Sequence, residues 1–201
     1  MPSATALAPS NIAFVKYWGN LDDDARLPFN DSISMNLSAA TTTTTVDFAD
    51  PLAADALTID GRAYDPNDPA DAPAVARVSR QLDLLRARAG VATRARVDSR
   101  NSFPMGTGIA SSASAFAALT VAAAAALGLS LDERTLSALA RRGSGSAARS
   151  VPDGFVRWHA AAADAQSFAA SLFPAAHWPL HDVVAIVSRT HKAVGSGGGH
   201  A

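Results

Sequence analysis

Cysteine is absent from the 201 residues of this sequence, and lysine is nearly so. Without cysteine, disulfides, thiolate catalysis and cysteine-ligated zinc are excluded. Lys16 and Lys192 are the two lysines among 17 cationic residues, which 18 acidic residues balance to a formal net charge of −1. A protein that binds nucleic acid through a broad basic surface needs clustered cations, so no nucleic-acid partner is expected.

Long, strongly apolar segments are also lacking. The longest, Ala113 to Leu129, is mostly alanine and is interrupted by Ser114 and Thr120, so it is too weakly hydrophobic to span a membrane. Residues 1–10 lack the charged start and apolar core of a signal peptide. The length suffices for a buried core. We therefore expect a soluble, cytoplasmic α+β protein without a membrane partner.

Residue spacing divides the first hundred residues into strands around one helix. The segment from Leu37 to Phe48 is rich in β-branched residues, and Asp60-Gly61 is typical of a tight hairpin within 57–64. RARVDS, Arg94 to Ser99, alternates like a strand. Helical spacing of apolar residues predicts a helix through Val75, Val78, Leu82 and Leu85.

The second hundred residues are predicted to hold two helices and two strands. The first helix runs from Gly108 to Leu127, and Gly128 suits its C-terminal cap. Ser130 and Glu133 form a Ser-x-x-Glu capping box that opens the second helix. The predicted strands are Phe155 to His159 and Val183 to Ser188.

The strongest local motif is PMGTGIASSASAF, Pro104 to Phe116. Gly106 and Gly108 allow the backbone to approach a ligand closely. Ser111 and Ser112 fall in the first turn of the following helix, where unpaired N–H groups and the positive dipole end favour a phosphate. The Gly-Lys-Ser/Thr ending of a Walker A loop is missing. Taken alone, the segment is more often a plain helix start.

A second cluster, SGSAARS, runs from Ser144 to Ser150. Arg149 offers a bidentate guanidinium, which makes the segment a candidate anion site. An ordinary turn between helices explains the same residues and is preferred in isolation.

A third cluster joins SNIAFVKYWGN, Ser10 to Asn20, with LPFNDSISMNL, Leu27 to Leu37. A strand that delivers Lys16, Tyr17 and Trp18 into a glycine turn is unusual. The equally weighted alternative is that the aromatic residues belong to the core and Lys16 is a strand-end cation.

Together and in this order, the clusters resemble the GHMP small-molecule kinase superfamily and, within it, the diphosphomevalonate decarboxylases. The resemblance rests on NIAFVKYWG, LPFNDSISMNL, NSFPMGTGIASSASAFAAL and SGSAARSVPDGFVRW, and continues to the end of the chain. It implies an α+β fold of the GHMP type, a mixed sheet layered with helices. The N-terminal domain would span residues 1–182, and a truncated second α+β domain would begin at 183–201.

The resemblance also implies a function and assigns residues to it. The function is ATP-dependent decarboxylation of a phosphorylated mevalonate in the mevalonate pathway of isoprenoid synthesis, with Mg²⁺ as second cofactor and Ser112 as its ligand. Expected nucleotide-binding residues are Asn101, Pro104, Gly106, Gly108, Ser111 and Ser112. Expected substrate-binding residues are Tyr17, Asn20, Ser144, Ser146, Arg149 and His200, with Arg149 on the carboxylate. Expected catalytic residues are Lys16, Ser146 and Arg149.

Two departures from the family fall on the part that would bind the substrate's diphosphate. Family members usually have KYWGK, and this sequence has Asn20 in place of the final lysine. The later segment KAVGSGGGH has Gly197 where Thr or Arg is common, and His200 where Met is common. Fewer cations suit a smaller anion, although His200 partly restores a donor. Both esters stay open, with a slight preference for mevalonate 5-phosphate over the 5-diphosphate.

Family chains are longer, and the aspartate regarded as their catalytic base lies in their C-terminal half. Asp22, Asp23 and Asp24 are expected to form a solvated loop and not to replace it. The chain is thus either a fragment, inactive by itself, or a degenerate enzyme. A GHMP kinase without decarboxylation and a non-catalytic nucleotide-binding relative remain open alternatives. The oligomeric state is open as well, with a homodimer as one option.

Overall fold

The computed structural model describes residues 3–49, 51–104 and 110–184. Within them, a seven-stranded mixed sheet packs with three α-helices, beside a separate two-stranded hairpin. The predicted α+β class with a mixed sheet is therefore confirmed. The strands are β1 (Ser3–Val15), β2 (Asn20–Asp22), β3 (Leu27–Pro28), β4 (Ser32–Phe48), β5 (Ala56–Ile59), β6 (Arg62–Tyr64), β7 (Ala95–Asn101), β8 (Phe155–Trp158) and β9 (Ala169–Phe173). The helices are α1 (Ala72–Ala89), α2 (Ser111–Ala126) and α3 (Glu133–Gly143).

The longest strand, β4, organises the sheet. It pairs antiparallel with β1 from Ser3 opposite Asp47 to Val15 opposite Ile33. Its other edge is shared by β7 and β8, both antiparallel to it. The order is β6-β5-β7-β4-β8-β9, in which β5 and β7 run parallel. The threonines at 41–45 suit this central strand, because β-branched side chains favour strands.

Helix α2 packs on β1 and β4 and also contacts α1 and α3. Its buried side chains are mostly alanine, and small side chains let a helix approach a sheet closely. The helix predicted from Gly108 begins at Ser111 in the described part. Its predicted cap is confirmed, since Gly128 has a φ of 67° and the N–H of Leu129 donates to the carbonyl of Ala124 at 2.9 Å.

One turn prediction is confirmed and one helix start is wrong. Asp60-Gly61 joins β5 to β6, and both residues have positive φ, 50° and 81°, as a type I′ turn requires. The capping box is wrong, because α3 begins at Glu133 and its N-cap is Asp132, whose carboxylate accepts a 2.8 Å hydrogen bond from the N–H of Thr135. Aspartate caps a helix as well as serine does, and Asp132 stands directly before the helix, so Ser130 has no capping role.

The remaining predicted elements of the described part are confirmed in type. Helix α1 buries Val75, Leu82 and Leu85, and the strands predicted at 94–99 and 155–159 are β7 and β8. Residues 183 and 184 lie outside any strand, and the rest of the strand predicted to begin a second domain lies outside the described residues. No helix in the described ranges is both long and apolar enough to cross a membrane.

Candidate active site

The segment that follows α3 carries three of the six predicted substrate-binding residues, Ser144, Ser146 and Arg149, and two arginine side chains hold its start. The Nε of Arg26 donates to the carbonyl of Arg142 at 3.2 Å, and the Nη2 of Arg77 donates to the carbonyl of Gly143 at 3.1 Å. Guanidinium groups suit these carbonyls, because the last carbonyls of a helix lack internal donors and carry its negative dipole end. Gly143 leaves no room for a side chain, since a Cβ there would collide with the ring of Phe116.

Three serine hydroxyls converge where α2 begins. Ser112 Oγ lies 3.2 Å from Ser144 Oγ, which lies 3.5 Å from Ser146 Oγ. The N-cap residue Ala110 has no side-chain acceptor, so it does not cap the N–H groups of the first turn. Ser10 Oγ donates to the carbonyl of Ala110 at 3.3 Å and ties this helix start to β1. Such a helix start, flanked by hydroxyls, suits phosphate oxygens.

Arg149 is a buried cation that no carboxylate of the described residues neutralises. Its Nη1 donates to Ser32 Oγ at 2.7 Å and its Nη2 to Asn11 Oδ1 at 3.1 Å. Its side chain is almost fully enclosed, and its Nε has no hydrogen-bond partner there. Burial lowers the pKa of Arg149 to about 10, so the group stays charged at neutral pH. An oriented guanidinium without a counter-charge is suited to a ligand carboxylate.

Sequence reasoning missed Asn11 and Ser32. The Nδ2 of Asn11 donates to the carbonyl of Ser146 at 3.1 Å and to Ser150 Oγ at 2.8 Å, so one side chain fixes both the serine segment and Arg149. Asn11 is 3% exposed and Ser32 is fully buried. Their place inside two of the motifs was the signal that could have revealed them.

Ser32→Ala is expected to lower the free energy of unfolding by about 1–3 kcal/mol, because it leaves a buried N–H of the Arg149 guanidinium without its acceptor. Ser34 offers a matched control on the same strand, since it is also fully buried but its Oγ has no hydrogen-bond partner. Ser34→Ala should therefore change that free energy by less than about 0.5 kcal/mol. Urea unfolding measures both variants. Equal losses would show that Ser32 does not hold Arg149.

Tyr17 packs close to this cluster. Its ring meets Trp158 edge-on, with centroids 4.6 Å apart. A Cβ on Gly145 would lie 2.6 Å from the hydroxyl oxygen of Tyr17, so the close approach requires glycine. Burial raises the pKa of Tyr17, although the positive charges of Arg149 and Arg26 oppose it. The phenol is therefore a neutral hydrogen-bond donor at neutral pH.

Lys16 and Asn20 form their described hydrogen bonds outside the cluster of Arg149 and the three serines. Lys16 is exposed, and its Nζ donates to the carbonyl of Ala13 at 3.2 Å. The Nδ2 of Asn20 donates to Asp23 Oδ1 at 2.8 Å, while its buried Oδ1 has no hydrogen-bond partner within the described part. Residues 22–24 are exposed as expected, but Asp22 is the last residue of β2, so the turn begins at Asp23.

Asn101, predicted to bind the nucleotide, is engaged within the sheet. Its backbone N–H donates to Asp60 Oδ1 at 2.8 Å and its Nδ2 to Asp60 Oδ2 at 3.1 Å, while its Oδ1 accepts from Thr42 Oγ1 at 2.7 Å. Pro104 is exposed at the last residue before the undescribed stretch. Gly106, Gly108, Gly197 and His200 lie outside the described residues. The structure thus brings together Tyr17, Ser112, Ser144, Ser146 and Arg149.

The residues that meet in the site fall within one known domain family. Residues 8–169 match the family described as diphosphomevalonate decarboxylase-like N-terminal domain. The chain belongs to this family. The matched range includes every residue that the structure brings together, from Asn11 to Arg149.

Relatives with this N-terminal domain are roughly twice as long as the chain. Diphosphomevalonate decarboxylase from Bos taurus is 37% identical over 208 residues, which are 97% of this chain and 51% of the relative. The enzyme from Homo sapiens is 35% identical over 210 residues, 98% of this chain and 51% of the relative. The chain therefore spans about half the length of the curated relatives it matches.

Solved structures of relatives share the fold of this N-terminal domain. Mevalonate diphosphate decarboxylase from Staphylococcus aureus superimposes with a TM-score of 0.85 at 35% identity, over 100% of this chain and 59% of its own. The enzyme from Enterococcus faecalis superimposes with a TM-score of 0.79 at 41% identity, over 88% of this chain and 53% of its own. A structure described as MDDEF in complex with MVAPP, AMPPCP and magnesium superimposes with a TM-score of 0.78 at 41% identity, over 88% of this chain and 52% of its own.

Proposed function

We propose that the complete protein catalyses ATP-dependent decarboxylation of a phosphorylated mevalonate. The 3-hydroxyl attacks the γ-phosphorus of ATP as the bond to the β-phosphate oxygen breaks, and its proton passes to the base that the resemblance puts in the second half of the complete protein. The products of this step are ADP and a phosphorylated intermediate. Phosphate then leaves with the C–O electron pair, and the C–C bond to the carboxylate supplies the pair for the new double bond as carbon dioxide departs. The observation that carries the proposal is Arg149, a buried guanidinium without a counter-charge among the described residues. Asn11 joins it to the serine segment, whose hydroxyls lie at a helix start suited to phosphate. The names of the relatives agree with it.

The start of α2 fits the nucleotide. The N–H groups of the first turn, which Ala110 does not cap, and the hydroxyls of Ser111 and Ser112 are suited to phosphate oxygens. MgATP, when bound, supplies the phosphoryl group and neutralises its developing charge. The described residues contain no group of three or more His, Cys, Asp or Glu placed to hold a metal. Because Mg²⁺ in nucleotide sites keeps water and phosphate ligands, the Ser112 hydroxyl fits as a single protein ligand.

The cluster around Arg149 fits the acceptor. Its guanidinium would hold the substrate carboxylate, while Ser144 and Ser146 would donate to the oxygens nearby. Since Ser144 Oγ lies 3.2 Å from Ser112 Oγ, donor and acceptor sites adjoin. The ion pair with Arg149 stabilises the carboxylate and not neutral carbon dioxide, so the departing phosphate must drive the second step. Arg149 therefore acts by orienting the substrate.

The proposal is tested by measuring both products from the complete enzyme. With MgATP and mevalonate 5-diphosphate or 5-phosphate, ADP and carbon dioxide should form in equal amounts. ADP without carbon dioxide would establish the alternative, a kinase of the same fold. Binding of ATP without release of either product would establish the non-catalytic alternative. A cytoplasmic location and a homodimer remain predictions.

The 201-residue chain alone is expected to show negligible turnover. None of the described Asp or Glu side chains hydrogen-bonds to Ser112, Ser144, Ser146 or Arg149. A positioned base typically contributes about 10²–10⁴-fold, and the resemblance puts this base in the second half of the relatives. The assay is product formation, with circular dichroism and an ATP titration as controls for folding. Product formation by the folded chain would place the base within residues 1–201.

A further inference from the structure

A row of hydrogen-bonded polar side chains runs from the β5–β6 turn to the start of α2. Asp60 lies in the turn with a φ of 50°, and its N–H donates to the carbonyl of Ser99 on β7 at 2.9 Å. Its carboxylate accepts from the Nδ2 of Asn101 at 3.1 Å, and the Oδ1 of Asn101 accepts from Thr42 Oγ1 at 2.7 Å. Thr42 Oγ1 also lies 2.7 Å from Ser114 Oγ on α2. A carboxylate in a surface turn is thus linked through β7 and β4 to the helix start.

The carboxylate gives these hydrogen bonds one direction. An ionised carboxylate can only accept hydrogen bonds, so the amide of Asn101 must present its NH₂ group to Asp60 and its oxygen to Thr42. The Thr42 hydroxyl therefore donates its single proton to Asn101. Its contact with Ser114 then requires Ser114 to donate, and 2.7 Å is a normal distance for such a bond. We call these four side chains the polar relay: Asp60, Asn101, Thr42 and Ser114.

The polar relay ends in the first turn of α2. Ser114 Oγ lies 3.2 Å from the carbonyl of Ser111, the first residue of the helix, and can donate to it in place of Thr42. One hydroxyl proton serves one acceptor well, so donation to Thr42 spares the Ser111 carbonyl this second bond. A serine that donates to a carbonyl of the preceding turn tends to bend a helix. The direction of the relay therefore bears on the geometry of the turn whose N–H groups suit phosphate oxygens.

The inner half of the relay is closed to solvent. Thr42 and Ser114 are fully buried, so their hydroxyls exchange hydrogen bonds with protein groups and not with bulk water. A buried chain of this kind passes on its direction, because each member has few alternative partners. The Asp60 carboxylate lies at the exposed end and also accepts from the N–H of Asn101 at 2.8 Å. The direction is thus set at the surface and expressed at the buried helix start.

We propose that Asp60 is a positioning residue for the nucleotide, because its carboxylate fixes the direction of the polar relay and thereby the first turn of α2. The inference rests on the proposed binding of ATP at this turn. Asp60 acts through the relay and not through its negative charge, which by itself would repel an anionic nucleotide. It also gives Asn101, predicted to bind the nucleotide, a role within the sheet.

The test is Asp60→Asn in the complete enzyme. Asn-Gly suits a type I′ turn as well as Asp-Gly does, so the fold should be kept. The replacement amide can still accept from the N–H of Asn101, but its NH₂ group needs an acceptor, so the Asn101 amide flips and the relay reverses. Ser114 then donates to the Ser111 carbonyl.

The expected result of Asp60→Asn is a rise of about three- to tenfold in the Kd for MgATP. At saturating MgATP, kcat and the KM for the acid substrate should stay within about twofold, since the acceptor site is unchanged. The melting temperature should change little, because the reversed relay has as many hydrogen bonds as the original. The direct effect of charge has the opposite sign, since removing a negative charge favours binding of an anion.

A second substitution tests whether the effect passes through the relay. Ser114→Ala removes the last hydroxyl and introduces a residue that suits a helix. In the Ser114→Ala background, Asp60→Asn should change the Kd for MgATP by less than about 1.5-fold, because the relay no longer reaches the Ser111 carbonyl. An equal rise in Kd in both backgrounds would overturn the proposal.

Asp98→Asn is the matched control, since it removes the same charge from β7, where Asp98 pairs with Arg100 at 3.4 Å. It should change the Kd for MgATP by less than about twofold. Weakening by Asp98→Asn as large as that by Asp60→Asn would overturn the proposal. If Asp60→Asn left the ATP affinity of an active enzyme unchanged, this inference alone would fail. A folded wild-type enzyme that binds no MgATP would contradict the proposed function together with this inference.

Discussion

Arg149→Lys is expected to lower kcat/KM for the acid substrate by about 10- to 100-fold in the complete enzyme, while the affinity for ATP stays within about twofold. Lysine keeps the charge but has a single nitrogen in place of the planar guanidinium group. The guanidinium of Arg149 already donates to Ser32 Oγ and Asn11 Oδ1, while its Nε has no hydrogen-bond partner among the described residues. A single ammonium cannot satisfy those two acceptors and also bind a carboxylate in two places.

The measurement is steady-state kinetics with a direct ATP titration beside it. Arg157→Lys is the matched control, because Arg157 pairs with Asp31 and is half-exposed on β8. That change should alter kcat/KM by less than about twofold, since exposed ion pairs contribute little. If Arg149→Lys weakened ATP and the acid substrate equally, Arg149 would be structural or would serve the nucleotide.

The complete enzyme is expected to prefer mevalonate 5-phosphate, and Asn20→Lys to shift the preference towards the 5-diphosphate by about 10- to 100-fold. This preference would separate the protein from relatives that are named for the diphosphate. Asn20 supplies no charge where the family has lysine. Its amide instead binds the carboxylate of Asp23, which adds a negative charge close to that position. A second phosphoryl group would meet less attraction and more repulsion there.

The assay compares kcat/KM for the two esters. A new lysine would pair with Asp23, so the double variant Asn20→Lys with Asp23→Asn should show the full shift. Asp23→Asn alone is the control for removing the negative charge. A wild-type enzyme that favours the diphosphate by about tenfold or more would refute the monophosphate preference and leave the decarboxylase proposal intact.

Local patterns predicted the elements of this fold better than their exact starts. The threonine-rich strand and helix α1 followed from side-chain spacing, which reports on the burial of one face. The Asp60-Gly61 turn followed from the need for two positive φ angles. The start of α3 was misplaced because two residues with capping side chains, Ser130 and Asp132, compete within one turn. Spacing cannot decide between them.

The site could be predicted only where its residues form a local motif. Ser144, Ser146 and Arg149 lie in one short segment, and the segment pointed to anion binding. Asn11 and Ser32 hold Arg149 from strands 138 and 117 residues away in sequence. A polar residue in a strand shows its role only when the sheet face and register are known.

The enclosed charge of Arg149 makes the stability of the protein depend on its ligand. Burial lowers its pKa to about 10, so enclosing the charged guanidinium disfavours the folded state. That penalty is present at every pH below about 10 and fades as the pH rises above that value. A carboxylate bound to the guanidinium raises its pKa again and removes part of the penalty. At a concentration of one hundred times its Kd, such a ligand adds about 2.7 kcal/mol to the free energy of unfolding. A rise in melting temperature therefore reports binding of the ligand. Acetate buffers would then mask the signal by occupying the same guanidinium.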